Sequence, residues 1–151
     1  MAEQDKTVVF SDEERAAMKA ASSERRTARS RAKKDPDEVR REGEAEVRAK
    51  LADMPDDDRA LGEALHAMVG EAAPHLVPRT YYGMPAYANE AGKVVCFYKP
   101  RSKFKVRYST FEFDQAANLD DGAIWPTAYA VTALGAEQLA FLAERVRIAA
   151  S

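Results

Sequence analysis

Hydrophobic positions from Pro55 onward fall into two rhythms. In PDDDRALGEALHAMVGEAAP, Leu61, Leu65, Met68, Val69 and Ala72 recur at helical spacing, and Pro74 ends the run. Leu139, Leu142, Ala143 and Val146 repeat that spacing between Gly135 and Ala149. Between these stretches the period shortens. Tyr81 to Asn89 is short and aromatic, and VVCFY (Val94 to Tyr98) reads as a buried strand. KVRYSTFEF (Lys105 to Phe113) alternates, and AIWPTAYAV (Ala123 to Val131) reads as a strand interrupted at Pro126. EAGK, Glu90 to Lys93, fits a hairpin turn. Helix, several strands, then helix predicts an α+β fold: an antiparallel sheet with flanking helices on one face.

Residues 1–50 follow neither rhythm. They hold 13 Lys+Arg and 12 Asp+Glu, lack Leu, Ile, Tyr and Trp, and contain one Phe. Ser11 to Glu14 reads as a capping box opening a charged helix that runs to about Lys34, where Asp35-Pro36 stops it. A second helix is predicted over Asp37 to Ala52, with Val39, Val47 and Leu51 as a thin apolar line. That line is too narrow for firm docking, so both helices are expected to be solvated, frayed or partner-dependent. The chain therefore divides into a charged helical extension, 1–50, and a core-forming α+β domain, 51–151.

Net charge of −2 and a pI near 5.8 give no global drive toward nucleic acid or membrane. The single cysteine, Cys96, excludes an intramolecular disulfide, and no Cys/His group has zinc spacing. The first thirty residues carry no apolar signal-peptide core and no eighteen-residue apolar run occurs. A cytoplasmic protein without membrane association is expected.

Two stretches concentrate candidate chemistry. In YYGMPAY, Gly83 permits a backbone angle that a side chain disfavours and Pro85 fixes the following bend. Tyr81, Tyr82 and Tyr87 can line a core corner or the wall of a cleft, with Met84 as an adaptable filler. In LDDGAIWPTAYA, the turn Asp120-Asp121-Gly122 leads into Trp125-Pro126, an aromatic on a strand that cannot pair fully. Trp125 is expected to be buried against Tyr82 and Tyr87. The candidate pocket residues are Tyr82, Met84, Tyr87, Arg107 and Trp125.

Tyr82-Gly83-Met84-Pro85-Ala86-Tyr87, then Gly92-Lys93-Val94-Val95-Cys96-Phe97, then Asp120-Asp121-Gly122 with Trp125-Pro126-Thr127, resemble the YdhG-like family of small bacterial domains over residues 51–150. The resemblance implies an α+β fold of antiparallel sheet and flanking helices. Some members have been proposed as frataxin-type iron chaperones, which would make iron the bound metal and iron–sulfur assembly proteins the partners.

The residues themselves offer iron only carboxylates. Asp56, Asp57 and Asp58 form the densest acidic run, but successive helical positions diverge by about 100° and cannot chelate one ion together. At a helix N-terminus they are expected to cap. Asp120 and Asp121 sit in a loop that can aim both, so weak, labile ferrous binding is expected there, in the micromolar range or poorer on the order-of-magnitude affinity scale. His66 and His75 match no metal or catalytic spacing, and no protease, hydrolase, phosphate-loop or dinucleotide fingerprint occurs. A non-enzymatic ligand- or metal-binding domain is expected.

The alternative is a module for an anionic partner, nucleic acid or acidic protein. Lys99, Arg101, Lys103, Lys105 and Arg107 occupy every second position, which an extended chain would place on one side. Arg25 to Lys34, including Arg25, Arg26 and Arg29, holds six cations and no acid.

Overall fold

The structure, a computed structural model, describes residues 9–151; the first eight residues of the predicted extension lie outside them. Helices α1 (Asp12–Arg31), α2 (Pro36–Ala52) and α3 (Asp56–Ala72) come first. Strands β1 (Val77–Tyr81), β2 (Met84–Ala88) and β3 (Val94–Lys99) follow, then a single helical turn, α4 (Arg101–Phe104). Strands β4 (Ser109–Phe113) and β5 (Ala128–Val131) and helix α5 (Ala136–Ala149) complete the chain. The five strands form one antiparallel sheet in the order β1-β2-β3-β4-β5, so every connection joins neighbours. The α+β fold with an N-terminal helical segment is as the hydrophobic pattern predicts.

Local chemistry sets the element ends. Ser11 Oγ accepts from the Glu14 amide at 3.1 Å to open α1. Asp35 Oδ1 accepts from the Asp37 amide at 2.8 Å to open α2, with Pro36 in its first turn. α3 starts after Pro55 without a side-chain cap. Asp56 and Asp57 are exposed and Asp58 is buried. None of the three caps the helix, contrary to expectation. The stretch 99–107 also departs from the extended reading: Pro100 starts the α4 turn and Lys105 adopts a left-handed backbone, φ 52°. The five cations therefore do not share a strand face. Pro126 has the effect its chemistry implies, since pairing in the last strand begins only at Ala128.

The core lies between the sheet and α3 and α5. Leu65, Met68 and Val69 from α3 and Leu142, Val146 and Ala149 from α5 meet Tyr87, Cys96, Tyr98, Phe111 and Phe113 from the sheet. α2 joins the same layer against β1 and β2. Val47 and Leu51 are buried, so α2 is not a solvated helix. The physical reason is Gly43: a Cβ there would collide with the Pro78 carbonyl. Glycine lets α2 approach the strand backbone closely enough for a thin apolar line to suffice. α1 buries only Ala17 and Ala21, and Arg31 at its end pairs with Glu42 and Glu46 of α2. Among the described residues, no helix is long and apolar enough to cross a membrane.

Candidate functional site

Strand alternation divides the sheet into two unlike faces. Pro78, Tyr87, Cys96 and Phe113 are register partners on the helix-covered face, as are Tyr98, Phe111 and Tyr129. Arg79, Ala86, Phe97, Glu112 and Ala128 are register partners on the other. Neither α3 nor α5 reaches that second face. Arg79, Tyr81, Phe97, Lys99, Thr110 and Glu112 remain half-buried on it. Tyr81 packs edge-on against Tyr82 and Phe97, with ring centroids 4.7 and 5.4 Å away.

Beside this aromatic group runs an open cleft of about 540 Å³ lined by Arg79, Tyr81, Lys93, Asp114 and Gln115 among others. Burial and the nearby Asp114 carboxylate raise the Tyr81 phenol above its ordinary pKa. Arg79 donates to the carbonyls of Thr80 at 3.1 Å and Gly92 at 3.3 Å, which orients the guanidinium along the cleft wall. The cleft thus offers a cation, a carboxylate and a phenol beside aromatic rings. This set suits a small polar molecule with a planar part.

The predicted pocket residues do not assemble there. Tyr87 is buried on the helix-covered face, where its hydroxyl lies 2.8 Å from His66 Nδ1. His66 Nε2 in turn lies 2.8 Å from Glu44 Oε1 of α2. The carboxylate can only accept, so Nε2 donates to it, and a neutral ring then accepts the Tyr87 proton at Nδ1. Met84 is buried, and Tyr82 sits in the β1–β2 turn at 37% exposure. Arg107 is exposed beyond α4, with its guanidinium 4.8 Å from the centre of the Tyr108 ring. Trp125, also 37% exposed, lies in the loop between β4 and β5, outside the core cluster. The expectation of one buried cluster of Tyr82, Tyr87 and Trp125 is therefore corrected.

Asp120 and Asp121 are exposed in that same loop. Asp56 is paired with Arg59 at 2.7 Å, and Asp58 Oδ2 accepts from the Ser102 amide at 3.1 Å. Among the described residues, no three His, Cys, Asp or Glu side chains are grouped to hold a metal ion. Of the basic set, Lys103 donates to the Tyr82 carbonyl at 3.1 Å and Lys105 pairs with Glu13 at 2.5 Å. Arg25, Arg26 and Arg29 are exposed on α1.

Sequence reasoning missed Arg79 and, having weighed Asp114 only as part of an acidic ridge, missed its place beside Tyr81. Arg79 was within reach, because it shares strand parity with Tyr81. The place of Asp114 was not, because it depends on three strand registers. No family model, curated protein or solved structure matches the chain.

Proposed function

We propose that the chain is a non-enzymatic, YdhG-like binding domain that takes a small polar molecule in the cleft on the open sheet face. The carrying observation is the Tyr81 ring, half-buried beside Phe97 on a face left open by α3 and α5, with Arg79 and Asp114 in the same cleft. A large amphipathic ring left accessible among fixed charges can stack on a ligand while the charges orient it. The single cysteine, buried in β3, is in keeping with residence in a reducing cytoplasm.

Iron delivery is the finer form of this reading and draws its support from the family resemblance. Its residues would be Asp120 and Asp121, exposed oxygen donors suited to a hard, exchangeable cation. Recognition of an anionic partner draws support from the exposed Arg25, Arg26 and Arg29 on α1.

One set of measurements separates the three. Small polar compounds are screened by protein-observed NMR, with Tyr81→Ala and Arg79→Ala as controls. The cleft reading expects shifts centred on Arg79, Tyr81 and Asp114 that both variants lose. Hits that map elsewhere would sink it. An anaerobic ferrous titration of wild type and of Asp120→Asn/Asp121→Asn addresses iron. Affinity for nucleic acid that falls steeply with salt would favour the arginines.

A further inference from the structure

The cleft on the open face holds opposite charges on separate elements. Two cations, Arg79 of β1 and Lys93 of the β2–β3 hairpin, line it together with one carboxylate, Asp114, which follows β4. Among the described residues neither cation forms an ion pair with Asp114. The cations belong to one end of the cleft, because Arg79 Nη1 donates to the carbonyl of Gly92, the residue before Lys93, at 3.3 Å. Arg79 Nε donates to the Thr80 carbonyl at 3.1 Å. These two bonds fix the guanidinium plane, and neither uses Nη2.

Asp114 is held as firmly. Its amide donates to the Val95 carbonyl at 2.9 Å, and its Oδ1 accepts from the Gln115 amide at 2.9 Å. A carboxylate offers about four acceptor sites, so capacity remains for an incoming donor. Tyr81 stands within reach of both charges. Burial raises its phenol pKa, Asp114 adds to the rise and Arg79 opposes it, so the two act on one hydroxyl. Its ring is braced edge-on by Tyr82 and Phe97.

A simple anion in this cleft would be repelled by Asp114, and a simple cation by Arg79 and Lys93. A molecule carrying both charges a bond or two apart meets all three groups without conflict, and a planar substituent on it gains the Tyr81 ring. With the cleft taken as the binding site, we propose that its ligand is a free α-amino acid with a planar side chain. The ligand carboxylate meets Arg79 and Lys93, its ammonium meets Asp114, and its side chain packs on Tyr81.

The test removes one charge at a time from ligand and protein. Isotope-labelled full-length protein is titrated with L-phenylalanine, 3-phenylpropionate (no amine), phenethylamine (no carboxylate) and L-alanine (no ring), read at the amides of Arg79, Tyr81 and Asp114. L-Phenylalanine should bind most tightly, and each of the other three about 10-fold or more weakly, the order expected for one lost charge-assisted or stacking contact. Lys93→Ala should weaken L-phenylalanine and 3-phenylpropionate but not phenethylamine. Asp114→Asn should weaken L-phenylalanine and phenethylamine but not 3-phenylpropionate. Both variants spare the local structure, since Lys93 is exposed and asparagine keeps an Oδ1 for the Gln115 amide. Equal or tighter binding of either single-charge analogue overturns the amino-acid assignment and leaves the cleft as a binding site. Absence of any saturable response in the cleft overturns both.

Discussion

On the helix side of the sheet, Tyr87 and Tyr98 are almost wholly enclosed, and each hydroxyl has a partner. His66 Nδ1 serves the first, and the Asp58 carbonyl accepts from the second at 2.8 Å. Burial drives the Tyr98 phenol up to about 12 and the Tyr87 phenol well above its ordinary value. On the other side Tyr81 keeps part of its ring in solvent, beside Arg79 and Asp114. Residue type is the same on both faces. What separates core from candidate site is whether a helix arrives to cover the ring and whether the polar tip is already satisfied.

The strongest way to break that contrast is to empty one ring position on each face. Phe111→Ala, on the covered face, should cost about 3–5 kcal/mol in urea denaturation, the range for a buried aromatic. Phe97→Ala, on the open face, should cost clearly less. Equal losses would make both faces core and remove the physical basis for a site. Gly43→Ala tests how the covering layer is held. Its Cβ meets backbone that cannot step aside, so a loss of about 1–3 kcal/mol is expected. An unchanged midpoint would mean that α2 is not seated on β1.

A smaller effect sharpens the role of Glu44, which fixes His66 under Tyr87. Burial alone would raise the Glu44 pKa, but its hydrogen bond to His66 and its pairing with Arg48 outweigh burial and lower it below its ordinary value. A carboxylate depressed in the folded state adds stability that is present above its unfolded pKa and fades as pH falls through the folded one. Glu44→Gln should therefore lose about 0.5–1 kcal/mol at neutral pH. That gap should close as the solution is taken below the ordinary glutamate range. A gap that persists in acid would assign the loss to shape rather than charge. Trp125→Ala should do least, about 1 kcal/mol or less, because the ring lies outside the core cluster and is partly exposed. A loss of several kcal/mol would place the β4–β5 loop in the core.

Element order was legible because proline and turn residues mark the stops, as at Pro74 and Asp35-Pro36. Which side each aromatic would face was not. Gly83 signals positive φ on its own, but Tyr82 at φ 51° carries no such signal. With both residues in the turn, Tyr81 pairs with Met84, and parity then sends Tyr87 to the opposite face. One unread backbone angle thus separates Tyr82 from Tyr87. The alternating cations from Lys99 to Arg107 misled for a related reason, since a period-two pattern this short is equally met by a turn of helix and a loop. The docking of α2 depends on closeness of backbones at Gly43, which an apolar-face argument does not weigh. Glu24 on the β1–β2 turn is a tertiary contact across more than fifty positions, and nothing local announces it.

Cys96 is fully enclosed in the middle strand, and burial raises its thiol well above the ordinary range. Only the thiolate reacts with disulfide and maleimide reagents, and here it is neither formed nor reachable while the sheet is closed. Labelling can proceed only when β3 comes away from its cover, so the modification rate of this one sulfur reports how often the core opens. In the limit where reagent outpaces reclosing, the chain carries its own stopwatch for unfolding.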